Sequence, residues 1–181
     1  VGLDNQGSQS TGRSRVLGGA YVNSLLGTGD QLRIDGAVGY EHGGLVNGRL
    51  DYSMLVSGYG TREGVAYSRL DYQYDFMQER FLGYSDDWEL YVSHPLVRTG
   101  TAQVNLRASV GQSFLTDKYP QKFSLSSGRE GKKTATTGTL GVAGSMATVP
   151  GGVTGASVDL TVGRMLYQDD TSRFWSGSDV R

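Results

Sequence analysis

Arginine and aspartate recur two residues apart in this chain, as Arg33/Asp35, Arg49/Asp51 and Arg69/Asp71. That spacing puts both side chains on one face of a β-strand. Paired carboxylates can divide general acid and base roles, but each of these pairs holds one acid and one base, so acid–base catalysis is not what they serve. They read instead as a lattice of ion pairs on a wet wall. His42 and His94 are the only histidines, and neither has a partner at metal-ligating spacing such as HExxH. There is no cysteine for a disulfide or a thiolate metal site. Gly58-Tyr59-Gly60 is not followed by the Gly-Lys-Ser/Thr of a phosphate loop. No catalytic, cofactor or metal site is therefore expected, and no enzyme.

The elements that must carry these charges are strands. Glycine is very frequent, at 28 of 181 residues, tyrosine is frequent at 11, and proline is scarce at 3. No stretch approaches the ~18 consecutive apolar residues of a spanning helix. Period-two alternation recurs instead, broken by glycine-rich turns. Val104, Leu106, Ala108 and Val110 share one face of a strand, while Gln103, Asn105, Arg107 and Ser109 take the other. Leu32 and Ile34 oppose Arg33 and Asp35, Leu50 opposes Arg49 and Asp51, and Leu70 opposes Arg69 and Asp71. The same division sets Val158, Leu160 and Val162 against Asp159.

About eight strands are expected, over 12–23, 31–41, 46–56, 62–74, 87–97, 102–113, 134–148 and 155–167. Ser24–Asp30, Ser57–Thr61, Arg98–Thr101 and Val149–Thr154 read as short turns. At the opposite end Asp75–Asp86 and Leu115–Lys133 read as long loops, with Glu41–Leu45 a short exception. Short turns at one end and long loops at the other mark an outer-membrane barrel, whose long loops lie outside the cell.

Two architectures produce such alternation, a transmembrane barrel and a secreted β-sandwich. The apolar face is built of Leu, Val, Ala, Gly, Met and Tyr, with small residues common. A sandwich core needs bulky interdigitating side chains to reach interior packing density, whereas fluid acyl chains fill gaps against small ones. The barrel is the better fit. Its water-filled lumen would be lined by Arg33, Asp35, Arg49, Asp51, Arg69, Asp71, Glu89, Asn105, Arg107 and Asp159. Leu32, Ile34, Leu50, Leu70, Val104, Leu106, Val110, Leu140, Val142, Val158, Leu160 and Val162 would face lipid. Arg164 and His94 fall on the apolar side near strand ends, within reach of headgroups. Tyr40, Tyr72, Tyr74, Phe76, Tyr84, Trp88 and Tyr167 lie near the long-loop ends, where rings form girdles.

A net charge of -1 gives no general attraction for nucleic acid. Lys118, Lys122, Arg129, Lys132 and Lys133 gather in one stretch poor in apolar residues. It reads as a solvated outer loop near anionic lipopolysaccharide.

Three segments carry a family resemblance. Leu3–Arg13 (LDNQGSQSTGR) resembles the DN-x-GS-x-x-TGR passage into the first barrel strand of the TpsB pores of two-partner secretion, which export haemolysins and filamentous haemagglutinin. Asn23–Asp30 (NSLLGTGD) resembles that family's N-P-LG-x-GD first turn, with Ser24 in place of proline. Tyr91–Arg98 (YVSHPLVR) resembles its x-Y-P-L-x-R strand-to-turn segment, with His94 where tyrosine is common. Together they cover about the first hundred residues, in family order.

The resemblance implies an all-β, antiparallel, up-and-down transmembrane β-barrel of about sixteen strands, of which this chain holds the first half. Residues 1–11 would be the linker from periplasmic POTRA domains, 12–168 the barrel strands, and 169–181 the start of an extracellular loop. Val1-Gly2-Leu3-Asp4 then reads as the interior of a longer chain. The family's VRGY-type loop motif is not found. Implied partners are a secreted client protein, outer-membrane lipid and lipopolysaccharide, and the barrel assembly machinery, with a monomeric pore in the outer membrane of a Gram-negative bacterium. No cofactor is implied. A small complete barrel, a porin or autotransporter barrel, and a secreted β-sandwich binding module remain the alternatives.

Overall fold

The computed structural model describes residues 1–5, 14–39, 44–76, 79–120, 130–148 and 151–175. Nearly all of them lie in one antiparallel sheet. Its strands are β1 (Gly2–Asp4), β2 (Arg15–Asn23), β3 (Gln31–Gly39), β4 (Leu45–Leu55), β5 (Arg62–Phe76), β6 (Glu79–Arg98), β7 (Ala102–Lys118), β8 (Glu130–Ala147) and β9 (Val153–Tyr167), followed by a short helix α1 (Asp170–Trp175). Each strand pairs with its neighbours in sequence, in the order β1 to β9. This is the up-and-down meander expected of a barrel wall, and the eight expected strands are β2 to β9. β1 is an addition: it pairs with Val16 through Leu3 and lies within the segment read from sequence as a linker.

The expected loops at one end are partly strand. β5 runs to Phe76 and β6 starts at Glu79; β7 runs to Lys118 and β8 starts at Glu130, with residues 77–78 and 121–129 outside the described ones. Hydrogen bonding continues along these extensions although the apolar alternation that signals a strand does not.

At the other end the turns are tight. Ser24 N–H donates to the Asp30 carbonyl at 2.6 Å, with Gly27 and Gly29 at φ 75° and 72°. Ser24 itself has φ 55°, a left-handed backbone closed to proline, whose ring holds φ near −65°. Asp30 is 1 % exposed and accepts from the Leu26 amide at 3.1 Å and the Thr28 hydroxyl at 3.3 Å. The β6–β7 register slips between Pro95 and Val97, where proline cannot donate to the ladder. Gly60 (φ 91°) leaves room for the Pro95 ring, 3.0 Å from where a Cβ would stand.

One face of the sheet is consistently less exposed than the other. Along β6, Phe81, Gly83 and Ser85 are buried and Asp87, Glu89 and Tyr91 half-buried, while Arg80, Leu82, Trp88, Leu90 and Val92 are exposed. The first set marks the inner face and the second the outer face. α1 packs across the inner face at its extended end. Asp169 caps the helix, accepting from the Ser172 amide at 2.6 Å and from the Lys132 amide of β8 at 2.7 Å. Thr171 and Ser172 are buried there, and the Cα of Ser172 lies 3.3 Å from where a Cβ on Gly131 would stand. No helix among the described residues is long and apolar enough to cross a membrane, which says nothing of strands.

Candidate functional site

Directly opposed residues in an antiparallel pair share a face, so the register assigns every strand residue to one side. Arg33 opposes Asp51 and Asp35 opposes Arg49. From Asp51 the row continues through Ala66, Glu89, Gly111, Thr137 and Gly163. The inner face thus holds Arg33, Asp35, Arg49, Asp51, Glu89, Asn105, Arg107 and Asp159 together. Of the apolar set, Ile34 opposes Leu50 on the other side. Rows Leu106–Val142–Val158, Ala108–Leu140–Leu160 and Val110–Gly138–Val162 continue that outer face, which also takes Leu32 and Val104.

β5 departs from the expected division. Its inner row is Gly64, Ala66, Ser68, Leu70 and Tyr72, since Ala66 opposes both Asp51 and Glu89. Leu70 is therefore on the inner face, and Arg69 and Asp71 are on the outer face beside Trp88 and Tyr84. Reading each strand by its own apolar residues reverses these three positions. The cause is physical: β5 changes the chemistry of both faces part-way along. Up to Tyr67 its outer side is Glu63, Val65 and Tyr67, with Glu63 opposite Met54 and Val92; beyond Ser68 the outer side is Arg69, Asp71 and Gln73, while Leu70, Tyr72 and Tyr74 turn inward. β6 makes the same exchange, with Leu90 and Val92 outside below Trp88, and Asp86 and Arg80 outside above it with Phe81 inside. The four residues Tyr84-Ser85-Asp86-Asp87, polar at both parities, were the signal in the sequence.

The inner face carries one connected network from β4 to β7, with smaller groups on either side. Arg49 Nη2 donates to Asp51 at 3.1 Å and to Glu89 Oε2 at 2.9 Å, and Arg107 Nη2 donates to the other Glu89 oxygen at 2.9 Å. Arg33 Nε reaches Asp35 at 2.6 Å. The Tyr91 hydroxyl donates to Asp51 at 2.6 Å, and the Arg107 guanidinium stacks 3.6 Å from the Tyr91 ring centre. These pairs are partly exposed and screened by water, so each is individually weak; together they fix charges of both signs at set heights. Towards the extended end, Tyr72 donates to Asp117 across Gly83, and Lys133 Nζ donates to Asp117 at 2.9 Å. Phe81 stacks on Tyr74 and meets Tyr119 edge-on. Asp159 lies over Gly141, whose missing side chain makes the space. Sequence reasoning placed Tyr91 only in a motif and Asp117 only in a loop, and it did not foresee α1.

Of the expected girdle, Tyr84 and Trp88 lie on the outer face, joined by Tyr67, whose ring centre is 4.7 Å from that of Trp88. Tyr72, Tyr74 and Tyr167 are inner-face residues, and Tyr40 lies outside the described residues, as do His42, Lys122, Arg129 and most of the first motif. Arg164 and His94 are on the outer face as expected; His94 Nδ1 is 2.9 Å from the Thr61 hydroxyl. No group of histidines and carboxylates that could hold a metal occurs among the described residues.

A meander with a hydrated, ion-paired inner wall and an apolar outer row defines a segment of a transmembrane β-barrel. No family model matches the chain. It is 32 % identical over 183 residues to the heme/hemopexin transporter protein HuxB of Haemophilus influenzae, covering all of this chain and 31 % of that protein. Another H. influenzae HuxB is 33 % identical over 170 residues, 93 % of this chain. The chain thus spans about a third of the length of the curated relatives it matches. CdiB from Escherichia coli superposes on 90 % of this chain with a TM-score of 0.65 at 23 % identity, over 30 % of its own chain. CdiB from Acinetobacter baumannii gives 0.64 at 16 % identity over the same shares. The chain is thus similar in sequence to about a third of a heme/hemopexin transporter and has the fold of part of CdiB.

Proposed function

We propose that this chain forms part of the wall of an outer-membrane pore that passes an unfolded exoprotein of the haemolysin, adhesin or toxin class, as in two-partner secretion. The supporting observation is the inner face: Arg33/Asp35, Arg49/Asp51 and Glu89/Arg107 alternate in sign across β3 to β7. A wall of mixed sign stays hydrated and does not hold a passing chain of either charge. Its unbroken hydrogen-bond ladder from β1 to β9 supplies what lipid requires of the backbone, with closure left to the rest of the barrel. The relatives are named as transporters, and no catalytic role falls to this segment. Residues 1–11 would join it to periplasmic domains and 12–168 to the rest of a barrel that acts as a single pore, inserted by the barrel assembly machinery.

The projecting ends of β5 to β8 lie outside the cell in this reading, and Leu32, Ile34, Leu50, Val104, Leu106, Val110, Leu140, Val142, Val158, Leu160 and Val162 meet lipid. The test is single-channel recording of the full-length protein carrying Arg33→Asp and Asp35→Arg. A changed conductance or ion selectivity is expected. Unchanged values in a correctly inserted protein would remove these residues from the lumen.

A further inference from the structure

Threading a client through the lumen leaves one cluster on the outer face without a task. Arg69 Nε donates to Asp71 at 2.9 Å and Arg69 Nη1 reaches Asp86 at 3.2 Å. The Tyr67 hydroxyl donates to the same Asp86 at 2.6 Å. Arg69 lies 4.8 Å from the Tyr84 ring centre and Lys118 Nζ 5.9 Å from it. Lys118 and Lys132 share one carboxylate, Glu130, at 3.9 and 3.7 Å, while Arg69 is shared by two, so these six charges balance and Arg164 adds the surplus positive one. Arg164 closes the row that starts at Trp88 and runs through Gln112 and Thr136. Between them a groove of about 340 Å³ opens, floored by Val46 and Leu82 and edged by Asp71, Gln73, Tyr84 and Lys118.

The height of this cluster follows from strand geometry. The stretch of β6 from Trp88 to Val97 rises about 23 Å along a barrel axis, at ~3.3 Å per residue and a tilt of about 40°, close to the ~25 Å apolar band of such barrels. Asp86 and Tyr84 then stand about 5 and 10 Å beyond the hydrocarbon edge, at headgroup level. The apolar band ends at the Tyr67–Trp88 pair, and the charged cluster begins on the next side chains.

We propose that this cluster seats the phosphorylated sugar headgroup of lipopolysaccharide in the outer leaflet. The cations meet phosphate, the carboxylates meet the divalent ions that bridge neighbouring phosphates, and Tyr84 offers a ring face to a sugar. Val46 and the apolar row below it continue into the acyl layer. The assignment rests on the membrane reading but not on what the pore transports.

The experiment uses the full-length protein in detergent and follows its heat-induced gel-mobility shift. Purified lipopolysaccharide should raise the midpoint of the wild type by several degrees, and phosphatidylglycerol should raise it far less. The double variant Lys118→Glu, Lys132→Glu should lose most of the lipopolysaccharide gain while keeping wild-type conductance. Equal gains in wild type and variant, or an equal gain from phosphatidylglycerol, would overturn the proposal. A changed conductance would put these lysines in the lumen and overturn it as well. If the double variant does not fold, Lys118→Gln should still bind lipopolysaccharide about tenfold more weakly by native mass spectrometry, and undiminished binding would count against the site.

Discussion

Tyr91 lies across Gly64, occupying the space a side chain there would fill, and its hydroxyl meets Asp51 one strand further on. A Cβ on residue 64 would stand 2.3 Å from the Tyr91 ring. Gly64→Ala must therefore lift the ring off Asp51 and away from Arg107. A loss of about 1–3 kcal/mol is expected, as for other overpacked sites. Tyr91→Phe keeps the ring and removes one hydrogen bond, for about 0.5–1.5 kcal/mol. Urea unfolding in detergent micelles measures both. In a Tyr91→Ala background, Gly64→Ala should cost little more; full additivity would show that the two residues do not interact.

Glu89 is shared by Arg49 and Arg107, one guanidinium on each carboxylate oxygen. Glu89→Gln leaves both guanidiniums without that charge. The pore should shift towards anions, read as a change in reversal potential under a salt gradient. Asp159→Asn, far along the sheet, should shift it in the same direction by less.

Acid should loosen the first turn through Asp30. Burial by itself would raise the Asp30 pKa, but hydrogen bonds from the Leu26 amide and the Thr28 hydroxyl outweigh it and hold the carboxyl below its ordinary value. A folded pKa below the unfolded one gives stability that is complete above the unfolded pKa, about 4, and lost as pH falls through the folded value. The Asp30 contribution to the urea midpoint should thus be independent of pH near neutrality and be lost below about pH 4. Asp30→Asn should lower the neutral midpoint and flatten that fall, and a parallel fall in the variant would assign the effect to other groups.

The faces of β3, β4, β7 and β9 were legible because these strands keep one environment per side along their apolar stretches. β5 was not, because its two faces exchange chemistry beyond Ser68 and its apolar residues turn to the side where Phe81 and Tyr119 lie. A rule that ties apolar to outward fails on a strand that makes such an exchange. The strands themselves were legible throughout that region, whereas their extensions were taken for loops: backbone pairing needs no alternation, so residues 79–86 and 130–133 gave no periodic sign. α1 could not be read at all, since a six-residue helix held by Asp169 depends on a tertiary contact with the Lys132 amide.

Ser24 gives a test of the turn backbone. With φ at 55°, Ser24→Gly should be neutral or mildly stabilising, and Ser24→Pro should cost more than 1 kcal/mol because its ring forbids that angle. Equal tolerance of proline would mean that the turn readily adopts another conformation.

Every strand in this sheet finds its partner next to it in the chain. Assembly is then a succession of small loop closures, each carrying a modest entropic penalty and each exposing a fresh template for the next segment. Among the described strands none has to wait for a distant piece of polypeptide. A wall built this way can be laid down in order, and a halted intermediate is already correctly paired up to the point at which it stopped.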